Sequence, residues 1–116
     1  MNIHITEEDR VCHIQQAFQE QYPFLKLEFF TQPHEHGAPC PLSQRIDKDT
    51  PIEQIRMIHT FGWIDISPQR TAAEVEYDFR HRLGMSVQVF RRAGNDWAET
   101  TRTDDWTLAK LNQEGR

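Results

Sequence analysis

The alternation of apolar and polar residues predicts the strands of this chain. In four short segments every second residue is apolar, which is typical of a strand that buries one face. These segments are residues 1–5, 24–30, 63–67 and 85–92. A fifth strand, residues 97–101, follows the pair Gly94 and Asn95, which suits a tight hairpin turn.

Apolar residues three or four positions apart predict two long helices. The first covers residues 7–22, with Thr6 as its N-cap. The second begins at a capping box formed by Thr71 and Glu74 and stops at Gly84. Their apolar stripes consist of Val11, Ile14, Phe18 and Tyr22 in the first helix and of Ala72, Val75, Phe79 and Leu83 in the second.

Two shorter helices are predicted from the residues at their ends. Thr50, Pro51 and Glu53 match the start of a helix that ends at Gly62. Near the C-terminus, residues 103–113 place acidic residues and a threonine before two leucines at helical spacing. This segment predicts a short terminal helix.

The chain contains an internal repeat, because residues 2–30 align with residues 63–90 after a slip of one residue. The aligned pairs are Ile3 with Ile64, Ile5 with Ile66, Ile14 with Val75, Phe18 with Phe79, Leu27 with Val87, Phe29 with Val89 and Phe30 with Phe90. Each unit is strand–helix–strand, so the repeat predicts an α+β, ferredoxin-like fold with one sheet and its helices on one face. A C-terminal hairpin strand and a short helix extend it. We expect residues 1–116 to form this single domain.

The C-terminal half also suggests an alternative fold. Residues 62–84, GWIDISPQRTAAEVEYDFRHRLG, followed by residues 87–112, VQVFRRAGNDWAETTRTDDWTLAKLN, have the order strand–helix–strand–strand. In this order the half resembles ubiquitin-like β-grasp domains. The segment WTLAKLN is similar to the short turn of helix near the end of those domains.

Composition narrows the classes of function. The 116 residues carry a net charge of −5, which disfavours binding to the phosphate backbone of a nucleic acid. No stretch approaches the roughly 20 apolar residues of a membrane span, and the N-terminus lacks the pattern of a signal peptide. Two cysteines are too few for a disulfide framework. These features predict a cytoplasmic protein without a membrane or nucleic-acid partner.

A proline-rich loop carries the candidate metal ligands. Residues 31–49 contain three prolines and one glycine and show no periodicity. Within this loop lie His34, His36 and Cys40. Imidazole and thiolate groups suit zinc or copper, so a metal-binding or metal-sensing protein is one hypothesis. A solvated polar loop is the alternative, and no other cofactor is predicted.

The sequence favours a non-enzymatic protein. It contains no glycine-rich phosphate loop, no nucleophile elbow and no paired cysteine motif. The adjacent acids Asp104 and Asp105 precede a predicted helix, where capping accounts for them. An enzyme that uses the sheet face as a small-molecule pocket remains an open alternative.

Strand alternation predicts an aromatic sheet face. With the aliphatic strand residues turned toward the helices, Phe30, Trp63, Phe90 and Trp97 lie on the opposite face, and Arg92 stands opposite Trp97. So much exposed apolar surface is unusual for a monomer. The face therefore predicts a protein-interaction or assembly module that forms a homodimer or binds another protein. The C-terminal helix is the alternative cover for this face.

Overall fold

The computed structural model describes residues 1–31, 44–58, 62–100, 103 and 105–115. Within these residues the chain is a small α+β protein, as predicted, with two antiparallel sheets and four helices. In chain order the elements are β1 (Asn2–His4), α1 (Val11–Gln21), β2 (Leu25–Phe30), α2 (Ile52–Ile55), β3 (Trp63–Asp65), α3 (Ala72–Asp78), the π-helical turn Phe79–Leu83 that continues α3, β4 (Ser86–Ala93), β5 (Asp96–Glu99) and α4 (Leu108–Glu114).

The strands form two sheets where the repeat predicts one. β1 pairs with β3, while β2, β4 and β5 form a separate sheet in which β4 is central. This pairing differs from the single sheet of a ferredoxin-like fold. It also differs from the β-grasp arrangement predicted for the C-terminal half, because β3 does not lie in the same sheet as β4 and β5. The alternation of a strand determines which face is buried, but it does not determine which strand lies beside it.

The internal repeat appears in the structure as a local two-fold relation. Ile3 pairs with Ile64, its own counterpart in the repeat. In the other sheet Leu27 pairs with Val89, and Phe29 pairs with Val87. Because Val87 and Val89 are the counterparts of Leu27 and Phe29, exchanging the two units reproduces the same pairing.

The two-fold relation extends to the short helices. Val11 N donates to Thr50 O at 3.0 Å, and Ala72 N donates to Trp106 O at 3.3 Å. In the return direction, the first residues of the short helices donate to the segments before the long helices: Ile52 N to Asp9 O and Leu108 N to Arg70 O. α2 and α4 therefore occupy equivalent places, and the repeated unit is strand–helix–strand–helix.

One core joins both units. The predicted inward-facing strand residues are all in it, together with the apolar stripes of α1 and α3. Its aromatic centre includes Phe29 and Phe79, whose rings meet edge to face with centroids 5.8 Å apart. The two units share this core, so neither has a hydrophobic centre of its own.

The predicted helix boundaries are partly correct. Thr71 and Glu74 form the predicted capping box, and Gly84 ends the π turn with a left-handed φ of 67°. The first helix begins at Val11 with Arg10 as N-cap, four residues later than predicted, because the Thr6 N–H bonds to the Asp9 carboxylate in a turn. α2 is shorter than predicted and ends at Ile55.

The predicted hairpin is confirmed. Gly94 has a φ of 64°, and β4 pairs with β5 so that Arg92 stands opposite Trp97. A left-handed φ is the conformation that glycine adopts without strain.

Candidate functional site

The outer face of the three-stranded sheet carries most of the predicted aromatic residues. Phe30 from β2, Phe90 from β4 and Trp97 from β5 pack together in a cluster that is separate from the main core. Phe30 is 2% exposed and Phe90 is 6% exposed in the single chain. These two rings therefore offer little surface to a second protein, whereas Arg92 is exposed at the end of this face.

A lysine shields part of this aromatic cluster. The Lys26 Nζ lies 5.5 Å from the centre of the Phe90 ring and 5.0 Å from that of Trp97. It also lies 3.6 Å from Glu28 Oε1, while Arg45 Nε lies 3.7 Å from Glu28 Oε2. A cation is stabilised by the face of an aromatic ring and by a nearby carboxylate. Lys26 therefore covers part of the aromatic cluster with a side chain of the same molecule.

Trp63 lies apart from the other predicted aromatic residues. It belongs to β3 and hence to the two-stranded sheet, and its side chain is 38% exposed. The Arg82 guanidinium lies 5.9 Å from the centre of its ring. The five predicted interface residues thus divide between two surfaces, with Trp63 on one and the other four on the outer sheet face.

The exposed side of α3 and its π turn extends the surface around Trp63. Tyr77 is 61% exposed, and its ring stacks on His81 with centroids 3.9 Å apart. Arg82 Nε lies 3.7 Å from Asp78 Oδ1. The exposed side of α3 and its π turn therefore carries the stacked rings of Tyr77 and His81, together with Arg82, which lies over Trp63.

Sequence reasoning did not identify Tyr77 or His81 as site residues. The signal was present, because Tyr77 falls outside the apolar stripe of its helix and His81 follows it by one helical turn. An aromatic residue on the polar side of an amphipathic helix has no core contact to explain it.

A cavity of about 360 Å³ opens between α2 and the adjoining ends of β2 and β4. Its lining is Phe29, Phe30, Thr31, Ile46, Gln54, Ile55, Met57, Gly84, Met85 and Ser86. None of these described residues is ionisable at neutral pH, so they supply no general acid or base. Met57 stands at its rim with 80% of its surface exposed.

Shifted pKa values occur at structural positions. Hydrogen bonds from the Ser67 side chain and backbone lower the pKa of Asp65, and the backbone N–H of Thr71 lowers that of Glu74. Burial raises the pKa of Tyr22 to about 12, and the charge of Asp65 adds to this shift. Each of these groups caps or bridges elements of the fold.

The predicted metal ligands His34, His36 and Cys40 lie outside the described residues, so metal binding by this loop stays a prediction. Among the residues that the structure describes, no three histidine, cysteine, aspartate or glutamate side chains are grouped to hold an ion. None of the described helices has the length and apolar character that a membrane crossing requires.

Comparison with protein-family models, with curated proteins and with solved structures found no match for this chain. The function is therefore argued from the surfaces themselves. The predicted interface residues lie on two of these surfaces: Arg92 and Trp97 on the outer sheet face, and Trp63 beside Arg82 on the other.

Proposed function

We propose that this chain is a non-enzymatic protein-interaction module that acts as a homodimer. The observation that carries the proposal is the surface formed by Trp63, Tyr77, His81 and Arg82, which we name the α3 surface. Tryptophan, tyrosine and arginine are the residue types that dominate the binding energy of protein interfaces. Here Trp63 lies against Arg82, and Tyr77 is stacked on His81, which precedes Arg82 in the chain.

We place the dimer interface at the α3 surface and not at the outer sheet face, because its aromatic residues are more exposed. Association gains free energy only from surface that is still accessible in the free protein. Phe30 and Phe90 are already buried by their own chain, whereas Trp63 and Tyr77 are 38% and 61% exposed. The outer sheet face therefore contributes chiefly Trp97 and Arg92 to any contact.

The aromatic residues of the α3 surface are too small in area to form a stable interface by themselves. A stable interface buries about 800 Å² on each partner, and one aromatic side chain supplies about 150–250 Å² when fully covered. Trp63 and Tyr77 are partly covered already, so they form the centre of a patch that polar neighbours complete. This is the usual anatomy of a dimer interface, with an aromatic centre and a polar rim.

Sedimentation of the purified protein tests the proposal. We expect a species of twice the 13.8 kDa of one chain at tens of micromolar. Trp63→Ala and Tyr77→Ala should shift it toward monomer, while Trp97→Ala on the outer sheet face should leave it dimeric. Phe90→Glu is a poor probe, because a charge at a position that is 6% exposed unfolds the monomer itself. A wild-type chain that sediments as a monomer at these concentrations contradicts the proposal.

A further inference from the structure

We propose that the cavity beside α2 binds a neutral small molecule that contains an aromatic ring. Its volume of about 360 Å³ lies at the lower end of the roughly 300–1,000 Å³ that small-molecule sites occupy. The cavity is found where the last residues of β2 meet the first residues of β4. It uses none of the residues of the α3 surface, so this inference does not depend on the proposed homodimer.

The repeat explains the position of this cavity. α2 and α4 occupy equivalent places, but α2 has four residues and α4 has seven. At the opposite end of the sheet, α4 reaches the start of β2, where Asn112 Oδ1 accepts from Phe24 N at 2.9 Å. It also reaches β4, since a Cβ built on Gly115 would lie 3.4 Å from Arg92 O. The shorter α2 ends at Ile55, and the cavity occupies the equivalent place beside it.

The residues of α4 at the opposite end indicate which chemistry fits the cavity. Leu111 is completely buried there, and the neutral amide of Asn112 makes the hydrogen bond to β2. Ile55 is the counterpart of Leu111, because each is the fourth residue of its helix, but Ile55 is only half-buried and lines the cavity. An apolar group that carries a neutral hydrogen-bonding group would therefore supply what α4 supplies at its own end.

The lining changes from buried and apolar to exposed and polar. Phe29, Phe30 and Met85 are each at most 2% exposed, so they form the deep part of the cavity. Thr31 and Gln54 are exposed and stand at its mouth. A ligand would bury its apolar part against the three buried side chains and place its polar group beside the other two.

Two features of the lining favour a neutral aromatic molecule. None of the ten described residues that line the cavity is ionisable at neutral pH, so a charged ligand would lose hydration without meeting an opposite charge. Met57 and Met85 contribute thioether groups, which make favourable contacts with aromatic rings. The hydroxyl of Ser86 and the amide of Gln54 can donate to or accept from a neutral polar group.

Titration with phenol, cyclohexanol and benzoate tests the inference. We expect phenol to bind with a Kd of about 1 mM or less, which is within reach of a molecule of this size. Cyclohexanol has the same number of ring carbons and the same hydroxyl group but no aromatic ring, and it should bind about threefold more weakly. Benzoate keeps the aromatic ring and adds a charge, which should weaken binding about tenfold or more.

The position of binding is measured by the amide signals in two-dimensional nuclear magnetic resonance spectra. Phenol should shift the signals of Gln54, Met57 and Ser86, which line the cavity. The signals of Asn112 and Gly115 should not move, because α4 fills the equivalent place at the opposite end of the sheet.

Two variants and a control confirm the site. Ser86→Met places a larger side chain in the cavity and should raise the Kd for phenol about tenfold or more. Met57→Ala removes a thioether from a residue that is 80% exposed, so the fold is retained while the Kd rises about threefold. Tyr77→Ala on the α3 surface should leave the Kd for phenol unchanged, whether or not this variant forms a dimer.

The outcomes separate this inference from the proposed function. Cavity signals that do not move at about ten times the expected Kd overturn the inference, and so does benzoate binding as tightly as phenol. Equal binding of cyclohexanol overturns the preference for an aromatic ring, and loss of phenol binding in Tyr77→Ala moves the site away from the cavity. Phenol binding to a chain that sediments as a monomer supports the inference while it contradicts the homodimer.

Discussion

Tyr22 shows how a single polar residue is accommodated in the core. It is 4% exposed, and its hydroxyl donates to the Ile66 carbonyl at 2.5 Å. This hydrogen bond joins the end of α1 to the chain just after β3, and therefore joins the two units of the repeat. The counterpart of Tyr22 in the second unit is Leu83, which has no such group.

The raised pKa of Tyr22 makes stability depend on pH in the alkaline range. Folding favours the neutral phenol, since its pKa is about 12 in the folded chain and about 10 when unfolded. The contribution is complete below about pH 10 and is lost as the pH rises toward 12. We expect Tyr22→Phe to lower the free energy of unfolding at pH 7 by about 1 kcal/mol and to reduce its loss above pH 10.

Urea denaturation between pH 7 and 11.5, followed by tryptophan fluorescence, measures this effect. The wild-type chain over the same pH range is the reference, because Tyr22→Phe removes only the hydroxyl that donates to the Ile66 carbonyl. An identical alkaline loss of stability in wild type and Tyr22→Phe would contradict the assignment.

At the scale of elements, two similar sequence patterns give different helix starts. Thr71 and Glu74 form a reciprocal cap, with Glu74 N donating to Thr71 Oγ1 at 3.1 Å and Thr71 N donating to Glu74 Oε1 at 2.9 Å. Thr50 and Glu53 have the same spacing in the sequence, but α2 begins after Pro51 without a side-chain cap. The pattern alone therefore does not ensure the cap, because the local backbone decides whether the threonine side chain reaches the helix N–H groups.

This difference predicts unequal effects of the same substitution. Thr71→Ala should lower the free energy of unfolding by about 1 kcal/mol, because a donor at the start of α3 loses its acceptor. Thr50→Ala should have a smaller effect, since no cap of α2 is removed. Chemical denaturation of both variants at the same protein concentration gives the comparison. Equal losses would show that the Thr71 cap has no special role.

The junction between α2 and the π turn depends on a glycine. Gly84 has a φ of 67°, and a Cβ built there would lie 2.7 Å from the Met57 Cβ. Gly94 has a φ of 64°, but a Cβ there would have no neighbour within 4 Å. Gly84 is thus required both for its left-handed backbone and for the close approach of Met57, whereas Gly94 is required for its left-handed backbone alone.

Alanine substitutions separate these two requirements. Both Gly84→Ala and Gly94→Ala carry the strain of a left-handed residue, about 1 kcal/mol, but only Gly84→Ala adds overpacking of about 1–3 kcal/mol. We therefore expect the larger loss of stability at Gly84 in thermal or urea melts. Combining Gly84→Ala with Met57→Gly should recover part of that excess. No recovery would show that the clash is not with Met57.

At the scale of the whole molecule, the two units of the repeat are interlocked. Each sheet is built from strands of both units, and the short helix of each unit is bonded to the segment before a long helix. The aromatic residues Phe18 and Phe79 occupy equivalent positions in one common core. Neither unit can unfold without removing strand partners and core contacts from the other.

This arrangement predicts a single cooperative unfolding transition. Tryptophan fluorescence and far-ultraviolet circular dichroism should give coincident melts. Phe18→Leu and Phe79→Leu should each lower the one Tm, because both rings are completely buried in the shared core. Two resolved transitions, or a Phe79→Leu variant that affects only part of the signal, would contradict the interlocked arrangement.

The sequence by itself determined the identity and inward faces of most elements. Period-two alternation identified residues such as Leu27 and Val89 as inward-facing, because a side chain and its second neighbour share one face of a strand. Helical spacing identified the stripe that includes Phe18, and the turn chemistry of Gly94 located the hairpin. These signals depend on residues close together in the sequence, so they are independent of how the rest of the chain folds. The predicted cluster of Phe30, Phe90 and Trp97 followed from the same alternation.

Only the tertiary structure decided which strands are neighbours and which aromatic residues remain exposed. Alternation is the same whether β1 lies beside β2 or beside β3, so the division into two sheets was not visible in the pattern. That division moved Trp63 away from the outer sheet face, and packing of the chain buried Phe30 and Phe90. Exposure of Tyr77 likewise depends on what the fold places over α3. Neighbours and exposure are properties of residues distant in sequence, and the local periodicity that identifies elements carries no information about them.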